Sequence, residues 1–245
     1  MGRTVRRVTG PWTPAVHSLL VHLESVGFST APRAFGRDGQ GREVLSYIEG
    51  ETVGDLEPWP SWTRSDEALA QMGRLLRDYH RAVASFVPPV DARWRFSSEP
   101  LRSGQVVCHN DAAPYNVVWR EGAVVGLIDW DVAGPGEPEM DLAFAAWQWV
   151  PLHHPAMLPA LGWRDPPDVG PRLRLLCDSY ELADRIGFAE RIPARARASV
   201  ERILRGAEEG DRDLASLRDR GYVTQMQGTV EHLEMIAPEL QRALR

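Results

Sequence analysis

Residues 105–131 read QVVCHNDAAPYNVVWREGAVVGLIDWD. The apolar run Val106-Val107-Cys108 predicts a short buried strand, and His109 to Asn116 a polar loop. Val117-Val118-Trp119, a turn at Glu121-Gly122 and the run from Val124 to Ile128 predict a β-hairpin that leads into Asp129-Trp130-Asp131. The chain has two asparagines, Asn110 and Asn116, and both lie in this loop. Asp111 can take a proton from an attacking hydroxyl. Asn116 and Asp129 offer hard oxygen donors that suit Mg²⁺ held against nucleotide phosphates.

The pattern His-x-Asp-x-x-x-x-Asn, met here as His109, Asp111 and Asn116, followed by Ile128-Asp129-Trp130-Asp131, resembles the aminoglycoside phosphotransferase family of the protein-kinase-like fold. The first part alone is expected by chance in roughly one chain in a hundred of this length. The second part, strand-borne and at the right distance, makes coincidence much rarer. The resemblance spans most of the chain, and its specific motifs lie between Cys108 and Asp141. It implies an α+β, two-lobed fold with a reduced N-terminal β lobe over residues 1–50 and a mainly helical C-terminal lobe over 51–245. It implies a Mg²⁺-dependent transfer of the ATP (or GTP) γ-phosphate to a small-molecule hydroxyl. Asp111 is then the catalytic base, with His109 in the same motif bracing the loop. Asn116 and Asp129 are the metal ligands, while Asp131 and Asp141 play supporting parts. Ser46-Tyr47-Ile48, within Leu45 to Gly50, resembles the hinge that pairs with the nucleotide base.

Each residue also has a plainer reading. Asp111, Asn116 and Asp129 suit turns beside strands, Asp141 a helix cap, and Leu45 to Gly50 an edge strand. The glycines from Gly36 to Gly41 lie between two short strands and predict a hairpin turn rather than a phosphate cradle. His153-His154 and the pair His17 and His22 lack metal-ligand spacing, so no zinc site is expected.

The departures from the family pattern are equally specific. Only about a dozen residues precede the first predicted helix, where the nucleotide-covering hairpin and clamp strand need roughly 25–30. The chain contains no lysine, and all 28 basic residues are arginine. Thr4-Val5-Arg6-Arg7-Val8 therefore reads as a remnant of the clamp strand, with Arg7 (or Arg6) facing the phosphates through a rigid fork that is not equivalent to lysine. No acidic partner for it stands out on the first helix. Two function classes stay open: an active small-molecule kinase whose N-lobe is minimal or begins upstream, and a kinase-fold remnant that binds a small molecule or protein.

Composition is ordinary for a soluble globular chain: 43% hydrophobic and 25% charged, with a net charge of −6. The negative balance disfavours nucleic acid. No apolar run reaches ~18 residues, so no membrane span is expected. The piece from Ser18 to Leu23 is too short for a signal peptide. Cys108 and Cys177, without C-x-x-C spacing, suit reduced thiols and a cytoplasmic location. Oligomeric state is not legible.

Apolar spacing predicts helices over residues 14–27 (Thr13 as N-cap), 65–84, 139–150, 171–186, 194–208, 211–219 and 223–244, the last broken before Pro238. Strands are expected over 4–8, 32–35 and 42–48, and a loop over 133–136. The aromatic face of the 139–150 helix (Phe144, Trp147, Trp149) reads as core.

Overall fold

The computed structural model describes residues 3–97 and 99–245. In chain order the elements are β1 (Thr4–Arg7), α1 (Thr13–Ser25), β2 (Ala34–Arg37), β3 (Glu43–Ser46), α2 (Asp66–Val83), β4 (Val106–Cys108), β5 (Val117–Arg120), β6 (Ala123–Leu127), β7 (Gly134–Gly136), α3 (Pro138–Trp149), α4 (Val169–Tyr180), α5 (Phe188–Glu208), α6 (Arg212–Asp219) and α7 (Tyr222–Ala243). Every strand lies before α3, with α1 and α2 set among them, and only helices follow β7, an α+β order. Contacts divide the chain into two compact units: residues up to Asp55 with Arg74–Asp141, and Leu56–Gly73 with Leu142–Arg245.

In the first unit, β1, β3 and β2 form an antiparallel sheet in that order. The register sets Arg7 directly opposite Glu43, so their side chains share a face. The turn between β2 and β3 is a hairpin, as the glycines predicted: Asp38 accepts from the backbone N–H of Gln40 at 2.9 Å and of Arg42 at 3.0 Å. Helix α1 buries Val16, Leu19, Leu20 and Leu23, the stripe its spacing marks. Thr13 is not its N-cap. The helix starts on that residue, Trp12 takes the cap position, and the Thr13 hydroxyl accepts from Gly10 N at 2.9 Å.

The β5–β6 hairpin is tied to the preceding chain by the Glu51 and Trp119 backbones, which exchange hydrogen bonds of 2.7 and 2.8 Å, and by Leu127 N donating to Thr30 O at 2.8 Å. Residues 133–136, expected as a loop, include β7, which pairs antiparallel with β4 from Val106↔Gly136 to Cys108↔Gly134. Gly-Pro-Gly carries no strand propensity, so only the tertiary pairing makes it a strand. The approach is close: a Cβ on Gly136 would stand 3.0 Å from Cys108 Sγ.

In the second unit the aromatic face of α3 is core, with Phe144, Trp147 and Trp149 all buried. Gly73 lets the start of α2 meet α4, since a Cβ there would stand 2.9 Å from Leu176 O. Three helix bounds differ from the sequence expectation. Helix α4 stops at Tyr180 rather than near residue 186 because Glu181 takes the left-handed conformation, φ 64°. Helix α5 starts at Phe188 and carries Pro193 inside it, and α7 runs unbroken through Pro238. Packing of buried Ile192, Val200, Val230 and Leu233 outweighs each proline's local cost. Among the described residues no helix is long and apolar enough to cross a membrane.

Candidate active site

The loop after β4 is held from below by Asp141, at the start of α3. Its carboxylate accepts from the backbone N–H of His109 (2.9 Å) and Asn110 (2.8 Å) and from His80 Nε2 (3.1 Å). Burial is the largest influence on Asp141 and favours its protonated form. The hydrogen bond from His80, its charge and the backbone donors outweigh that and hold the pKa below the usual carboxylate value. Asp141 thus caps the loop after β4. Asn110 turns the chain with φ 65°, a conformation asparagine tolerates better than most residues. Its Nδ2 donates to Val132 O at 3.2 Å, linking the loop to the segment after β6.

His109 is fully buried, with its ring 4.6 Å from Trp130 in an edge-on arrangement. Its Nδ1 accepts from Asp111 N at 3.2 Å and its Nε2 donates to Ile128 O at 3.1 Å. These contacts fix one neutral tautomer, and burial lowers the pKa further against protonation. The imidazole braces both loops and lies beneath them.

Asp111 is fixed from two sides. Tyr115 donates its hydroxyl to Oδ1 at 2.9 Å, and Asn116 Nδ2 donates to Oδ2 at 2.8 Å and to the Asp111 backbone oxygen at 2.9 Å. Both acceptors are oxygens, so the amide orientation is settled, with the nitrogen on Asp111. Burial raises the Asp111 pKa and the charge of Asp129 adds to this, opposed by His109, Tyr115 and Asn116. A carboxylate whose pKa moves toward neutrality is a better proton acceptor at a hydroxyl.

Asp129 takes φ 62°, an uncommon backbone for a non-glycine residue, and its side chain is exposed. Arg7 Nη2 donates to Asp129 Oδ1 at 2.9 Å and to Asp131 Oδ2 at 2.6 Å. Arg7 Nε lies 3.6 Å from Glu43 Oε1, and Glu43 Oε2 lies 3.0 Å from His17 Nε2. Burial raises the Asp131 pKa, with Arg7 opposing it and the charges of Asp129 and Glu43 adding to it. Arg7 thus has a third, more distant carboxylate in Glu43 on β3, backed by His17 of α1, where the first helix offered no acidic partner. The register that pairs them is a tertiary fact with no local sequence signal. Tyr115 was also passed over, although it stands inside the motif, one residue before Asn116.

A cleft of about 390 Å³ opens beside these groups. Val5, Leu45, Ile48, Val118 and Ile128 give it apolar walls, and Arg7, Asn116 and Asp129 stand on its lining with Ser46 and Tyr47. Of the stretch Leu45 to Gly50 compared with a hinge, all but Glu49 line the cleft. Gly50 is required where the walls meet, since a Cβ there would stand 2.6 Å from Trp119 O. On the lining, the Asn116 carboxamide and the Asp129 carboxylate are hard-oxygen donors of the kind that suit a magnesium ion completing its shell with phosphate oxygens; Asp131 reaches Asp129 through their shared Arg7 nitrogen.

The family model described as the phosphotransferase enzyme family matches residues 91–176. A trifolitoxin immunity protein from Rhizobium leguminosarum bv. trifolii is 42% identical over 197 residues, covering 78% of this chain and 73% of that protein. Among solved structures, an amicoumacin kinase in complex with AMP-PNP and Ca²⁺ superposes with TM-score 0.62 at 10% identity, over 93% of this chain and 80% of that one. An aminoglycoside phosphotransferase from Alicyclobacillus acidocaldarius gives 0.54 at 16%, over 98% and 86%. The GDP complex of aminoglycoside 2′-phosphotransferase-IIIa gives 0.54 at 13%, over 94% and 82%. At such identities the superpositions establish the fold, which is protein-kinase-like.

Proposed function

We propose, from the premise that this chain belongs to the phosphotransferase enzyme family, that it moves the γ-phosphate of ATP or GTP to a hydroxyl of a small molecule. The observation that carries this reading is that Asn116 bonds Asp111 directly while lining, with Asp129, the same cleft. Proton acceptor and cation donors are then neighbours, as in-line transfer needs.

Asp111 orients the substrate hydroxyl and takes its proton, its carboxylate aimed by Tyr115 and Asn116. Asn116 and Asp129, with Asp131 alongside, would hold Mg²⁺, which supplies positive charge to the phosphate oxygens when bound. Arg7 supplies the phosphate contact that lysine makes in kinases, anchored by Glu43. The base lies between the apolar walls, with backbone groups of Ser46, Tyr47 and Ile48 at its edge. His109 and Asp141 position the loop without touching substrate. With this reading goes the division into a nucleotide-covering lobe, residues 1–50, and a helical lobe, 51–245, working on a cytoplasmic small molecule.

The test is a thermal-shift titration with Mg²⁺-ATP and Mg²⁺-GTP on the wild type and Asp129→Asn. A ligand at ~100 times its Kd adds about 2.7 kcal/mol, a visible rise in melting temperature. A rise in the wild type alone supports the site. No rise up to millimolar nucleotide rejects the kinase.

A second reading draws on the 42%-identical relative, which is named for immunity and not for transfer. In it the chain binds a toxin-like small molecule or a protein without phosphorylating it. Nucleotide-independent ligand binding that survives Asp111→Asn and Asp129→Asn together would favour this reading.

A further inference from the structure

One nitrogen of Arg7 serves two carboxylates. Nη2 lies 2.9 Å from Asp129 Oδ1 and 2.6 Å from Asp131 Oδ2, so the guanidinium occupies the point where the exposed Asp129 and the half-buried Asp131 converge. These oxygens are the ones a divalent cation at the cleft would take. A guanidinium and a divalent ion cannot both hold them, since the two positive charges repel at contact distance. Arg7 is also the one basic residue among the described residues lining the cleft, so a polyphosphate entering it competes with Asp129 and Asp131 for this same side chain. The third contact differs from these two. Arg7 Nε faces Glu43, which is itself buried and held by His17 at 3.0 Å. Glu43 is thus a pivot on which the guanidinium can turn from the acids toward the cleft without losing its anchor.

We propose that Arg7 is an exchange latch: it neutralises Asp129 and Asp131 against a bare divalent ion, and releases them when a polyphosphate takes its guanidinium. This rests on the phosphotransferase reading of the cleft and adds an order to it. Cation and nucleotide bind as a coupled pair, and each raises the affinity for the other by the same factor. Without its nucleotide the cation meets an arginine already in place.

Mn²⁺ titrated into the full chain and followed by the EPR signal of the unbound ion reads this directly, without turnover. Arg7→Met keeps an apolar stem and removes the charge. It is expected to bind Mn²⁺ alone at least about tenfold tighter than the wild type, a small part of the repulsion between charges ~4 Å apart near a protein surface. Adding Asp129→Asn to Arg7→Met should abolish the gain. In the wild type, AMP-PNP should raise Mn²⁺ affinity about tenfold or more, and in Arg7→Met this coupling should shrink. Arg7→Gln carries the same expectations should circular dichroism show the Met variant unfolded. Arg7 variants that bind Mn²⁺ no more tightly than the wild type overturn the latch. A wild type that binds no Mn²⁺–AMP-PNP retires the phosphotransfer reading instead, while the ratio for Mn²⁺ alone still decides whether Arg7 blocks the ion.

Discussion

Asp141 shows how one buried carboxylate can set a loop whose own residues have no regular structure. It receives three donors, two from the backbone of His109 and Asn110 and one from His80. Removing it leaves those N–H groups buried without an acceptor, at about 1–3 kcal/mol each. Asp141→Ala should therefore lose about 3 kcal/mol or more in urea denaturation, and Asp141→Asn clearly less. His153 gives a pH prediction. Burial, reinforced by His232, lowers its pKa to about 4, so on acidification the unfolded chain takes up the proton first. The associated stability is complete above pH ~6.5, the unfolded pKa, and is lost as pH falls toward the folded value. A shift of ~2.5 units corresponds to about 3 kcal/mol. His153→Phe, which keeps a ring against Trp147, should flatten the stability profile between pH 6.5 and 4. An unchanged slope in denaturation midpoints across that range would refute this. At this scale fixed local spacing singled out Asp111, Asn116 and Asp129, and the structure sets Asn116 on Asp111 and, with Asp129, on one cleft. Glu43 and His17 were not, since only the β1–β3 register brings Glu43 to Arg7.

At the scale of elements, strong apolar periodicity located every long helix, and the errors gather at prolines and left-handed residues. Pro193 and Pro238 sit inside helices because neighbouring turns are buried, a tertiary decision invisible to local rules. Pro238 is exposed in the last helix, so Pro238→Ala should restore a backbone hydrogen bond and stabilise the protein by about 1–3 kcal/mol. Melting temperature, compared with a control substitution elsewhere on α7, checks this. At Glu181, φ 64° is a glycine-like conformation that ends α4. Glu181→Gly should raise stability by about 1 kcal/mol, and a lower melting temperature would show that the Glu181 side chain contributes more than the backbone costs. β7 went unread for a different reason: three residues of Gly-Pro-Gly hold no pattern until β4 is beside them.

For the molecule as a whole, the family was legible from some two dozen residues, while the small N-terminal sheet and the helical second unit had to be seen. The cleft walls and every site residue named above lie in the first unit. Hydrogen exchange followed by mass spectrometry should therefore show Mg²⁺-nucleotide protecting peptides around residues 5–8, 43–52, 116–118 and 128–131. Peptides from α5 to α7 should be unchanged, and protection confined to them would place the nucleotide elsewhere.

The β4–β7 ladder also bears on tolerance to error. The chain leaves this ladder at Cys108 and returns to it at Gly134, and Asp111, Asn116, Asp129 and Asp131 all lie on the span between. That span is pinned at both ends to one short frame, as a part is held in a jig. Thermal drift of the frame carries Asp111, Asn116, Asp129 and Asp131 together, so motion of the frame as a body leaves their mutual spacing unchanged. Substitutions that shift the frame as a body should then be far better tolerated than those that loosen either pin.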